Sequence, residues 1–185
     1  MDMVDALDRT FASTRTVVAE VRPEHLKRPT PCAEWDVQAL LDHMNGSIES
    51  FGYVAARQAP PPDAPTVPES ALERYDAATA RTLDAWRAPG ALDGDVSLAG
   101  GAFVLPAAVA ICINHNDCLI HGWDVARAIG VEAELDPELA EIALESSHTI
   151  LTAELRPVVG FDPEISVSPD ASPTARLVAY TGRKP

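Results

Sequence analysis

Positive charge is scarce in this sequence. Against 28 Asp and Glu the chain sets 14 Lys and Arg, a formal net charge of −14 over 185 residues. Nucleic acids and anionic membranes are held by Lys and Arg that neutralise phosphate, and no basic cluster makes up the deficit locally. Both partners are therefore excluded. Long apolar runs are also missing. The longest, "FVLPAAVAICI" (103–113), is far too short to cross a bilayer, and the N-terminal "MDMVDALDRTF" is acidic and amphipathic, unlike a secretory signal. A cytoplasmic location is the expectation. Cysteine is sparse: Cys32, Cys112 and Cys118 form an odd set without a C-x-x-C pair. They read as reduced thiols, not as a disulfide framework. Cys32 stands apart because it lies just ahead of a helix N-terminus, where a thiolate is stabilised.

What remains is the composition of a folded domain, 46% hydrophobic and 23% charged. Val4, Leu7, Phe11, Val18 and Val21 recur at helical spacing over 2–21, and Pro23 with "KRPTPCAE" ends that stretch. Asp36 then stands where an N-cap belongs, ahead of Val37, Leu40, Leu41, Met44, Ile48 and Phe51. "APPPDAPTVPES" (59–70) is a connector that no helix tolerates. A third helix runs through Leu72, Tyr75, Leu83 and Trp86 to "APG", and residues 91–104 read as a short hairpin around Gly100-Gly101. The fourth helix starts near Pro106 and ends at Gly130. Asp136-Pro137 opens a fifth through Leu139, Ile142, Ala143, Ile150 and Ala153. "EISVS" (164–168) is a short extended piece, and Ser172-Pro173 opens a last short helix closed at Gly182. No repeat and no second core is visible. The reading is a mainly all-α bundle over 1–155 with a C-terminal extension, 156–185, packed on the same domain. An apolar stripe on the first or third helix offers a surface for a homodimer.

The fourth helix carries the chemistry. Behind the apolar "LPAAVAICI" comes "NHNDCLIHGWDVARAIG" (114–130), in which Asn114, Asp117, His121 and Asp124 share one helical stripe. Asp117 and His121 lie on successive turns and can close on one divalent cation; the same spacing also occurs on solvated helix faces. His43 sits on the shoulder of the second helix's apolar stripe, either facing a groove between helices or half exposed. His115 points about 120° away from His121 on the wheel, so it belongs elsewhere. His25 and His148 have no visible partner and read as surface or packing residues. Trp35 and Trp123 read as packing residues too. Asp124 either orients His121 or pairs with Arg127 at the surface.

Three stretches carry a resemblance: "PCAEWDVQALLDHMNG", "HGWDVARAIG" and the closing "SPTARLVAYTGR". Together they resemble the metal-binding bundle family that unites DinB-like proteins with the mycothiol-dependent maleylpyruvate isomerases of actinobacteria. The resemblance implies a DinB-like four-helix bundle holding zinc or nickel, with His43, Asp117 and His121 as ligands and Asn114 and Asp124 supporting them or the substrate. It implies a low-molecular-weight thiol, mycothiol-like, and a small electrophilic substrate that is conjugated or isomerised. A non-catalytic metal-binding or sensing protein of the same fold is the other expectation. Three protein ligands leave a position open, as catalytic zinc requires. The family's carboxylate is commonly Glu; here it is Asp117, one methylene shorter, which asks the helices to sit closer or a water to intervene. The isomerases carry a further C-terminal domain where this sequence has only a tail, so maleylpyruvate isomerisation itself is not expected.

Overall fold

A computed structural model describes residues 1–33, 35–61 and 70–185. Most of the proline-rich connector, 62–69, lies outside the described residues. In chain order the elements are α1 (Met3–Ala19), α2 (Val37–Ala56), α3 (Ala71–Arg87), β1 (Asp95–Leu98), β2 (Phe103–Pro106), α4 (Ala107–Ile129), α5 (Pro137–Ile150) and α6 (Pro173–Tyr180). Their starts are written in the chain. Asp2, Asp36, Ser70, Asp136 and Ser172 each cap a helix by accepting a free backbone N–H, and Ser70 and Glu73 close a reciprocal capping box.

Helices α1 to α4 form the bundle. Leu7, Phe11, Leu40, Leu41, Met44, Ile48, Tyr75, Trp86 and Ile111 fill its centre. Two glycines set how closely the helices approach. A Cβ on Gly122 of α4 would meet Thr14 Oγ1 of α1 at 2.7 Å, and one on Gly52 of α2 would meet Thr82 Oγ1 of α3 at 2.8 Å. The hairpin appears as expected: β1 and β2 pair antiparallel, Asp95 opposite Pro106 and Leu98 opposite Phe103.

A second, smaller apolar cluster lies on the outer side of α4, where the sequence showed no second core. There Leu119 and Ile120 pack with Leu139, Ala140, Ala143 and Leu144 of α5 and Leu177 of α6. Leu7, Phe11 and Val18 of the α1 stripe and Tyr75, Leu83 and Trp86 of the α3 stripe are buried. Helix α5 stops at Ile150, short of Ala153. Residues 164–168 do not form a strand; the segment offers Ile165 N–H to Ala179 O, and one such bond is no ladder. Arg156 anchors the tail, its Nη1 donating to Asp162 O and Tyr180 O beneath the Tyr180 ring. No helix among the described residues is long and apolar enough to cross a membrane.

Candidate metal centre

The stripe on α4 faces inward, and it meets α2. His43 Nε2 lies 3.5 Å from Asp117 Oδ1, and His121 Nε2 lies 3.4 Å from the same oxygen. These separations are too long for charge-assisted hydrogen bonds, which run at about 2.7–2.9 Å. They match the edge of a tetrahedron of ligands around zinc, about 3.3–3.5 Å for bonds of 2.0–2.1 Å. The shorter aspartate places Oδ1 within 3.5 Å of both imidazoles. The rings of His43 and His121 stand perpendicular, their centroids 5.0 Å apart. Asp117 Oδ2 is buried and has no hydrogen-bond partner among the described residues. A buried anionic oxygen without a donor is costly, and a cation is its natural complement.

Exposure grades across the three. His43 is 37% exposed, Asp117 20% and His121 10%, so the group opens to solvent on the His43 side. The loop before α2 folds over that opening. Thr30 Oγ1 donates to Trp35 O at 2.8 Å and Trp35 N–H donates to Cys32 O at 2.9 Å, which holds the turn. Trp35 then lies on His43, centroids 4.4 Å apart, and 5.9 Å from His121. Reading Trp35 as a simple packing residue missed this position. Trp123, by contrast, is buried as expected.

Asp124 resolves to one of its two readings. It is fully buried, and its Oδ2 accepts from His121 Nδ1 at 3.0 Å. Arg183 pairs with it, Nε donating to Oδ1 at 2.8 Å and Nη2 to Oδ2 at 2.8 Å. Arg127 lies instead over the Trp123 ring. Pairing with Arg127 is thus overturned, because Asp124 points into the molecule. With Nδ1 donating to Asp124, His121 turns Nε2 towards Asp117, the arrangement in which a carboxylate fixes a metal-binding imidazole.

Cys32 completes the surroundings, its Sγ 3.3 Å from Asp124 Oδ2, 3.2 Å from Arg183 Nη2 and 3.9 Å from His121 Nδ1. Cys32, His121 and Asp124 are also close enough to hold an ion. The Arg183 guanidinium already engages both Cys32 and Asp124, and a cation beside it meets like charge. His43, Asp117 and His121 form the better group.

The electrostatics agree. Burial works to raise the Asp117 pKa, but His121 and then His43 overcome it and hold the carboxyl well below its usual range. Burial works to lower the His121 pKa, but Asp117 and then Asp124 push it well above the usual value. The negative field that favours an imidazolium there also attracts a metal cation, which would have to displace the Nε2 proton to bind. Asn114 gives its Oδ1 to the Trp86 indole N–H at 3.2 Å, and its Nδ2 is a buried donor without a partner among the described residues. His115 is elsewhere, as its place on the wheel required, 2.8 Å from Thr10 Oγ1 with Nε2 donating to Leu139 O. His25 accepts from Arg22 N–H, and His148 packs edge-on against Tyr180.

The chain has relatives. Two uncharacterized proteins of Mycobacterium tuberculosis, from strains CDC 1551 and H37Rv, are each 32% identical over 184 residues, covering 99% of this chain and 98% of theirs. The crystal structure of a histidine-to-alanine mutant of the mycothiol-dependent maleylpyruvate isomerase shares the fold. Its TM-score is 0.64 at 14% identity, over 88% of this chain and 72% of that one. The family model described as the mycothiol maleylpyruvate isomerase N-terminal domain matches residues 7–126, a span holding His43, Asp117, His121 and Asp124. On that match and those relatives, the chain belongs to the mycothiol maleylpyruvate isomerase N-terminal domain family.

Proposed function

We propose that the protein is a divalent-metal-dependent enzyme that uses a low-molecular-weight thiol, mycothiol-like, to conjugate or isomerise a small electrophile. One observation carries the reading: His43 Nε2 and His121 Nε2 lie 3.5 and 3.4 Å from Asp117 Oδ1, and the other oxygen of that carboxylate, Oδ2, is buried with no donor among the described residues. The thiol is carried over from the family and from the structural neighbour's name. A bound divalent cation, zinc first and nickel second, supplies Lewis acidity that lowers the pKa of a coordinated thiol or water.

The remaining work falls to side chains. Asp117 and His121 form the inner wall, and Asp124 holds the His121 ring. His43 forms the solvent side, and Trp35 covers it with an apolar face that excludes water from one flank. Asn114, a turn before Asp117, keeps an amide N–H to orient the substrate or a bound water. In this reading residues 1–155 are the metal-binding bundle, and 156–185 extend the same domain.

A non-catalytic metal-binding or sensing protein would close the fourth position with a side chain. Cys32 is the nearest thiol, but it meets His121 at the opposite ring nitrogen and is engaged by Arg183. That favours the open, catalytic arrangement. The test is metal content by elemental analysis, on protein purified without a histidine tag, beside His121→Ala. Near-stoichiometric zinc or nickel in the parent protein, lost in the variant, is the expected result. No uptake, even after incubation with either metal, would leave a bundle with a polar seam and remove the catalytic reading.

A further inference from the structure

Asp124 is a fully buried carboxylate, and a carboxylate alone turns readily about its last torsion. Its plane is set here by a residue 59 positions away. The Arg183 fork spans both oxygens, Nε at 2.8 Å from Oδ1 and Nη2 at 2.8 Å from Oδ2, and Oδ2 also takes the His121 Nδ1 proton. Such a bidentate pair fixes orientation as well as charge.

Arg183 is itself held by the end of α6. Gly182 adopts φ +84, and a Cβ there would meet Asp162 at 2.7 Å, so only glycine turns the chain at this point. Gly182 N–H returns to Ala179 O and Arg183 N–H to Val178 O, the paired bonds of a Schellman cap. Nη1 donates to Thr181 O, and the guanidinium lies over Phe161. The whole C-terminal segment thus aims one cation at Asp124.

Resting on the metal reading above, we infer that Arg183 is a positioning residue for that centre, and that metal affinity depends on docking of the C-terminal segment. Arg183 fixes Asp124, Asp124 fixes the His121 ring, and Nε2 is thereby presented towards Asp117. Linkage makes the effect reciprocal: metal tightens docking of α6 by the same factor that docking tightens metal.

The test strips the full chain of metal with a chelator and titrates zinc against a competing indicator. Arg183→Met and Arg183→Lys are compared with the parent protein, and amide hydrogen exchange is followed over residues 173–183. Removing a direct outer partner of a metal ligand typically costs about 10–100-fold in affinity; Arg183 acts one step further out, through Asp124, so the loss expected for Arg183→Met is at the lower end, about 10-fold. Arg183→Lys falls between, because an ammonium keeps the charge and loses the fork. Zinc slows exchange in α6 of the parent protein and does not in Arg183→Met. Unchanged zinc affinity in both variants overturns the inference, even where the metal-free protein melts earlier, since that pattern is a structural role alone. If Arg183→Met fails to fold around an unpaired Asp124, Arg183→Lys decides on the same terms. A parent protein that takes up neither zinc nor nickel removes the underlying metal reading instead.

Discussion

His115 and His121 are buried on the same helix and are driven in opposite directions. Burial takes the His115 pKa down to about 4, only partly offset by its bond to Leu139 O, while the carboxylates around His121 carry that ring the other way. The depressed value has a thermodynamic cost in acid. Below 6.5 the unfolded chain takes up a proton at His115 that the folded chain refuses until about 4. The stability due to neutral His115 is therefore complete above 6.5 and drains away as pH falls from 6.5 to 4. Between pH 7 and pH 5 the loss is about 2 kcal/mol. Urea unfolding at both pH values, with chelator present, should show the parent protein losing more than His115→Gln; equal losses would place the acid sensitivity elsewhere. The His121 contribution is common to both proteins and cancels. Much of this chemistry was legible because helix periodicity is local: the spacing of Asn114, Asp117, His121 and Asp124 sorted them from His115 unaided. His43 needed the family resemblance, since a shoulder position alone leaves it between groove and solvent. Cys32 and Arg183 meet the site across 89 and 59 residues, and no local pattern reports such a contact.

At the scale of elements, the register of α1 against α4 decides whether the stripe reaches α2. Gly122, directly after His121, lets Thr14 sit against the α4 backbone. Thr14 is β-branched and buried, so it has little room to turn aside. Gly122→Ala should destabilise by about 1–3 kcal/mol through overpacking, despite the higher helix propensity of alanine. Pairing it with Thr14→Ala should restore most of the loss, and chemical denaturation of the two singles and the double checks this. Simple additivity would mean that the two residues do not collide. Helix starts were legible because caps are short-range. The end of α5 and the fate of residues 164–168 were not, because both meet α6 across distant sequence, Tyr180 OH donating to Leu151 O and Ile165 N–H to Ala179 O.

For the molecule as a whole, a metal held at the proposed centre would be a ligand of the folded state. Zinc at 100 times its dissociation constant should add about 2.7 kcal/mol, a rise of roughly 5–10 °C in Tm. Thermal melts with zinc, then with excess chelator, should show the shift and its reversal, and His121→Ala should show neither. A shift of equal size in His121→Ala would assign the effect to the acidic surface. That surface is extensive, with a net charge of −14, and weak cation binding to it is expected to be screened by salt while the site is not.

The indole laid over His43 gives the centre a voice in the ultraviolet. Of the three tryptophans, Trp86 and Trp123 are buried, whereas Trp35 lies against His43 with the rings tilted by 40°. Its emission therefore senses whatever changes the electronic state of that imidazole. A filled-shell ion such as zinc and an open-shell ion such as nickel act differently on an excited ring, so, were either held at the proposed centre, the chain's own fluorescence should distinguish the two without any label.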